Sequence, residues 1–360
     1  MQGFKSLWDP SSYGENSGDP RWSPPHSPGH ESRSVKTYDI IGDIHGSGEK
    51  LDGLLGLLGW TVDNNGVHRH PDKKRMVIFV GDLVDRGKEQ HEVLTTVKSM
   101  VDAGTALIVM GNHEFNAVSY ATLHPDGSGD HLRIHTPKNS ALAKEFLDQI
   151  CDEKRAEWIE WFKTLPLWLD LGDLRIVHAC WHQNSIDFLQ DTFGGSTFPE
   201  GIDAFVAANT KGNEIYRAIE VILKCPEIEL GTYGLPGYLD KGGHIRTAAR
   251  VSWWNSSATS IRDLIDIPGG TFLEGGAAYP AIPDLPCTEH DRSFSYSEDI
   301  PVMYGHHWRQ WAPEQHKDWT QRTACVDFSA VAGGPLVAYS WRGERTIDEN
   351  HYVRFPADQE

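Results

Sequence analysis

The sequence predicts an α/β fold around a partly parallel sheet. Three observations carry this: short apolar runs that end in polar turns containing glycine, helical apolar spacing between those runs, and their regular alternation. The first run is "KTYDIIGDIHG", a buried strand entering a loop, followed by Leu51, Leu54, Leu55 and Leu58 at helical spacing. "RMVIFVGD" is the second strand and turn, and Val93, Leu94, Val97, Met100 and Val101 mark the next amphipathic helix. "ALIVMGNHE" is the third strand, continuing into a helix through Ala121. Strands alternating with helices imply crossover connections and parallel pairing. Beyond Asn139 two more helical patterns precede "LWLDLGDLRIVHAC", a hairpin pair turning at Gly172-Asp173. Helices are expected near 213–224 and 260–265. "VMYGHHW", "TACVDFS" and "PLVAYSW" read as closing strands, with "AGG" turning between the last two.

At 360 residues with 39% hydrophobic content, the chain suits one large domain or a domain with a sizeable insertion. Residues 1–34 hold five prolines and little apolar periodicity, so a flexible Pro/Ser/Gly-rich arm is expected there. The main domain is expected over 35–345, with 183–300 an insertion or cap rich in Gly, Pro and aromatics, and a C-terminal tail over 346–360. A net charge of −18 argues against general binding of nucleic acid or anionic membranes, which need a positive surface field. The five cysteines are odd in number and scattered, without a Cys-x-x-Cys pair, which fits a reducing compartment. With no apolar leader and no apolar stretch approaching about 20 residues, the expected location is cytoplasmic.

The stretch "IFVGDLVDRGKEQ" superficially resembles a phosphate-binding loop. A nucleotide loop of that type needs four residues between its glycines and Ser or Thr after the lysine. Here Gly81 and Gly87 enclose five residues and Lys88 is followed by Glu89. The enclosed Asp82 and Asp85 would repel phosphate unless a cation lay between them. Asp43, His45, Asp82, Asn112, His113, His178 and His306 complete a set of carboxylate, imidazole and amide donors. That mixture suits manganese, iron, zinc or nickel better than calcium, which prefers oxygen alone, or structural zinc, which recruits cysteine. Two ions are expected, because a carboxylate such as Asp82 can bridge a pair about 3.5–4 Å apart that holds a phosphoryl oxygen and generates hydroxide.

With "GDIHG" at 42–46, "GDLVDRG" at 81–87, "GNHE" at 111–114, and more loosely "VHAC" at 177–180 and "YGHHW" at 304–308, the chain resembles the calcineurin-like metallophosphoesterase superfamily. Within it, the likeness is to the branch of serine/threonine phosphoprotein phosphatases and diadenosine-tetraphosphate hydrolases. The resemblance implies a four-layer α/β/β/α sandwich with two mixed sheets. It makes Asp43 and His45 ligands of a first metal, Asp82 the bridge, and Asn112, His178 and His306 ligands of a second, with manganese the first choice. His113 would be the general acid, Asp85 its orienting partner, and Arg86 a phosphate clamp. The branch's His-Gly-Gly is replaced by His178-Ala179-Cys180, which leaves His182 as a competitor, and His307 stands beside His306.

No motif fixes a second phosphate-binding arginine; Arg246 and Arg250 in "GGHIRTAARVSWW" are the candidates. The expected function is hydrolysis of phosphomonoesters, as on phosphorylated protein or a small phosphoester, by direct attack of metal-bound hydroxide. The alternative is hydrolysis of dinucleoside polyphosphates such as diadenosine tetraphosphate. An inactive metal-binding scaffold docking through the proline-rich arm is the rival from another class.

Overall fold

Strand β1 (Thr37–Ile41) begins at the second residue of the part that the computed structural model describes, which comprises residues 36–240, 243–267, 272–311 and 320–356. The expected arm over 1–34 lies outside the described residues. Helix α1 (Gly48–Leu57) leads through a small hairpin, β2 (Thr61–Val62) and β3 (His68–Arg69), into β4 (Arg75–Phe79). Helix α2 (Gln90–Asp102), β5 (Ala106–Ile108) and α3 (Asn112–Ala121) complete the first three predicted strand-helix units. Strand β1 pairs parallel with β4, and β4 parallel with β5.

Two later strands extend this sheet. β15 (Leu336–Trp341) runs antiparallel to β1, and β16 (Tyr352–Phe355) antiparallel to β15, giving the order β16-β15-β1-β4-β5. The sheet is therefore mixed. Four residues of the segment expected as a tail from 346, Tyr352–Phe355, form this edge strand. The Phe355 ring lies so close to Gly53 that a β-carbon there would sit 2.4 Å from it. The run Tyr352-Val353-Arg354-Phe355 does not alternate apolar with polar residues, so it shows no period-two pattern.

After α4 (Pro137–Gln149) and α5 (Asp152–Lys163), the predicted hairpin appears as β6 (Trp168–Asp170) and β7 (Arg175–Val177), paired antiparallel. With β13 (Val302–Tyr304) and β14 (Thr323–Cys325) they form a second mixed sheet, β14-β13-β7-β6, in which β13 is parallel to both neighbours. Alternation along the strands puts one face of each sheet in a shared core. Ile40, Ile78, Val80 and Tyr339 meet Leu174, Ile176, Met303 and Val326 there, all fully buried. The opposite face of the first sheet, with Ile41, Val77, Phe79 and Ala338, belongs to the same core as Leu51, Leu54, Val93 and Leu94 of α1 and α2. Each such side chain contributes on the order of 1.5–3 kcal/mol on leaving water. This is the predicted four-layer α/β/β/α sandwich.

The hard-to-read middle contains α6 (Gln183–Phe193), α7 (Asp203–Asn209), α8 (Glu214–Lys224) and a three-stranded sheet of β8 (Glu227–Glu229), β11 (Ala248–Val251) and β12 (Ile265–Asp266). A hairpin of β9 (Tyr238–Leu239) and β10 (Ile245–Arg246) lies between them in sequence. The helix expected near 213–224 is α8, and that near 260–265 is a single turn over Ile261–Leu264.

Candidate metal centre

Each of the strands β1, β4, β5, β7 and β13 ends at a residue group already suspected from sequence, and the loops that follow converge. The His45 N–H donates to the Asp82 carbonyl at 2.9 Å, the Gly46 N–H to Leu83 at 2.8 Å and the Gly305 N–H to His178 at 2.8 Å. Glu114 locks two loops together, its carboxylate accepting from the N–H groups of Asp82 (2.8 Å), Leu83 (2.8 Å) and Gly111 (2.9 Å). Gly305 is required for contact, since a β-carbon there would lie 2.1 Å from Asp43 Oδ1.

Six of the eight non-glycine residues with left-handed φ among the described residues belong to these loops: His45, Asp82, Asp85, Arg86, His306 and Trp308. Such backbone strain persists only where surroundings over-determine it, and it concentrates at functional sites.

Asp82 lies at the centre of the arrangement. Its Oδ2 is 3.5 Å from His45 Nε2 and 3.9 Å from His113 Nε2, while its Oδ1 is 3.4 Å from His178 Nε2. Two donor groups result, His45–Asp82–His113 and Asp82–His178–His306, all buried. In each group one imidazole is oriented from behind. His45 Nδ1 lies 2.8 Å from the Val84 carbonyl and His178 Nδ1 2.7 Å from that of Val80. Donation of Nδ1–H to a carbonyl leaves Nε2 with its lone pair, the form that ligates metal.

The donors fit divalent cations on two counts. His45 Nε2 and His306 Nε2 are buried with no hydrogen-bond partner, a costly state for a polar atom unless something else fills it. The carboxylates are also crowded: burial, Asp327 and Asp82 push Asp43 well above the usual carboxylate range, a charge problem that a cation relieves. Asn112 Oδ1 is 3.1 Å from His178 Nε2, on the second group. Asp43 is buried, but its carboxylate accepts from the His306 N–H at 3.1 Å and stands outside the first group.

Burial opposes charge on His113, but Asp82 and Asp85 outweigh it and raise its pKa. His113 Nδ1 lies 2.5 Å from Asp85 Oδ2, and Arg86 Nη2 is 3.3 Å from His113 Nε2. Asp85, His113 and Arg86 are thus one connected unit. The loop bearing Asp85 and Arg86 is tied down by Gln90, whose side-chain oxygen accepts from the Asp85 N–H at 3.0 Å and whose amide donates to the Gly87 carbonyl at 2.9 Å. Gln90 carried no motif signal and was missed.

The competitors fall elsewhere. His182 packs against Phe294, its ring tilted 49° to the phenyl, and lies 2.8 Å from the Ser185 hydroxyl. His307 is packed against Trp254 and Tyr304, with Nε2 3.3 Å from the Ala179 carbonyl. The two candidate arginines separate: Arg250 reaches the His306 carbonyl at 3.5 Å, whereas Arg246 is paired with Glu227. Both line a cavity of about 1070 Å³ that opens onto Asn112 and His306, with α6 and α8 contributing to its walls. Lys88 is exposed.

Comparison with known proteins identifies the family. The family model described as calcineurin-like phosphoesterase matches residues 37–207. The chain is 32% identical over 179 residues to bis(5'-nucleosyl)-tetraphosphatase PrpE [asymmetrical] of Bacillus subtilis (strain 168), covering 46% of this chain and 69% of that protein. It is 36% identical over 148 residues to the protein of the same name from Halalkalibacterium halodurans, covering 39% and 56% respectively, so the chain spans little more than half of that relative. Among solved structures, a protein serine/threonine phosphatase from Saccharomyces cerevisiae has a TM-score of 0.44 at 14% identity, over 92% of this chain and 82% of that one. One provisionally described as a diadenosine tetraphosphatase has a TM-score of 0.42 at 16% identity, over 89% and 95%. Among the described residues no helix is long and apolar enough to cross a membrane.

Proposed function

The chain belongs to the calcineurin-like phosphoesterase family, and from that premise we propose that it is a dinuclear metal-dependent phosphohydrolase acting on dinucleoside polyphosphates. The observation that carries the reaction class is the Asp82 carboxylate, whose two oxygens face separate buried imidazole groups beside the Asp85–His113–Arg86 unit. The reading from sequence put phosphomonoesters first. The names of the curated relatives favour the alternative instead.

In this reading His45, Asp82 and Asp43 hold one divalent cation, manganese being the first choice, and Asp82, Asn112, His178 and His306 hold the other. Asp43 would release the His306 N–H to do so. When bound, the cations supply charge neutralisation at the phosphoryl group and an activated water. Arg86 and Arg250 grip the remaining phosphoryl oxygens, Arg86 through its planar fork. His113 delivers a proton from Nε2 to the leaving oxygen, while Asp85 holds the opposite ring nitrogen and steadies the charged imidazole.

Away from Arg250 the cavity is not basic: Arg217 lies 3.6 Å from Glu214, Lys224 pairs with Glu220 and Arg246 with Glu227, and Glu229 also lines it. Phe188, Tyr216 and Phe294 also line it. An aromatic chamber without excess positive charge next to a phosphate site supports a nucleoside as the distal group. The 183–300 segment then serves as the substrate-facing cap.

A panel of diadenosine tetraphosphate, phosphopeptides and p-nitrophenyl phosphate, each with manganese, tests the reading. The dinucleotide is expected to show the highest kcat/KM. A phosphopeptide turned over ten times faster would restore the phosphoprotein reading, and no turnover with metal bound would favour the scaffold.

A further inference from the structure

Arg86 reaches the centre without an acidic partner: among the described residues no carboxylate forms an ion pair with it. Instead its guanidinium carbon lies 4.2 Å from the centre of the Trp308 ring. One edge of the guanidinium touches His113 Nε2 at 3.3 Å. A guanidinium stacked on an indole keeps its N–H donors in the ring plane's direction and free of competition, whereas an ion pair would occupy them.

Trp308 is itself held. Its backbone is left-handed, with φ of 51°, a conformation a bulky residue adopts only under constraint. The constraint is visible: its N–H donates to Asp327 Oδ2 at 2.7 Å, and the Asp327 Oδ1 accepts from the Ser329 N–H at 2.9 Å. Asp327 follows β14, and Trp308 lies two residues past His306. The closing strands thus reach the proposed phosphate clamp through two residues.

We propose that Trp308 is a positioning residue for the phosphate, acting through Arg86 by carrying its guanidinium on the indole face. This inference rests on the reading of Arg86 as the clamp. It explains how an arginine from the 81–87 loop can be aimed by an element more than 200 positions away without being neutralised.

The test is a double-mutant cycle of Trp308→Ala and Arg86→Ala in the full chain loaded with manganese. It would measure KM and kcat on p-nitrophenyl phosphate, and the dissociation constant of inorganic phosphate by calorimetry. Trp308→Ala is expected to raise KM and the phosphate dissociation constant by roughly tenfold, with a smaller change in kcat. Trp308→Phe, which keeps an aromatic face, should recover most of the loss. In the Arg86→Ala background the Trp308 substitution should add less than about twofold. Full additivity, or a Trp308→Ala variant whose phosphate affinity is unchanged while Arg86→Ala weakens it, would overturn the role of Trp308 alone. An Arg86→Ala variant with unaltered phosphate affinity would overturn the clamp and this inference with it. Metal content and melting temperature of each variant separate a collapsed site from a mispositioned arginine, and a Trp308→Ala effect accompanied by metal loss counts against the proposal.

Discussion

The two donor groups share Asp82 yet are assembled in contrasting ways. His45 comes from the loop after β1 and His113 from the start of α3 after β5, two strands that flank β4 in the first sheet, within 70 residues of each other. His178 and His306 come from loops of the second sheet, 128 positions apart in the chain. The first group depends on tight local turns, the second on how the two sheets pack. Perturbing a loop should therefore damage chemistry at one group, whereas only Asp82 should damage both.

Asp82→Asn is the largest break. Changing outer partners of a metal site already costs about 10–100-fold, so loss of the shared carboxylate should exceed that in kcat/KM. Metal analysis should show both cations depleted; retention of one full equivalent would refute the shared role. His113→Asn comes next, with kcat lowered by about 10²–10⁴-fold on an alkyl phosphate and less on p-nitrophenyl phosphate, whose leaving group needs no proton. Equal losses on the two substrates would remove the general-acid assignment.

The two arginines of the 183–300 segment offer a finer contrast. Arg250→Ala should raise KM for phosphoesters about tenfold, and Arg246→Ala by no more than about twofold, because one guanidinium faces His306 and the other is spent on Glu227. Steady-state kinetics of the two variants decides it, and a reversed order would move the second clamp to Arg246. Smallest of all, Lys88→Ala should leave kcat/KM and stability within about 0.5 kcal/mol, since the side chain is exposed and outside the donor groups. A substantial kinetic loss would revive the nucleotide-loop reading.

The legible half of the centre was legible because its geometry is local. In "GDLVDRG" one turn places Asp82, Asp85 and Arg86, and Gly81 and Gly111 permit the contact between two such turns: a β-carbon on Gly81 would lie 2.4 Å from the Gly111 nitrogen. His178 and His306 were identifiable as strand ends but stood beside competitors, His182 and His307, of the same chemistry. Packing distinguished them, by turning His307 into the Trp254–Tyr304 cluster and His182 toward Phe294. Gln90 and Trp308 gave no signal because their partners, the Asp85 backbone and the Arg86 guanidinium, are set by tertiary contacts that no spacing encodes. The same holds for β16, a short run that becomes a strand because β15 offers it an edge.

By itself, the sequence determined the α/β alternation, the polar turns at the strand ends and the donor chemistry they carry, since these follow from hydrophobic period and residue type. Only the tertiary structure decided that β15 and β16 make the first sheet mixed, that Arg250 rather than Arg246 faces the centre, and that Trp308 lies under Arg86. Those outcomes depend on which distant faces meet when apolar surface is buried, a relation between residues that sequence neighbours do not contain.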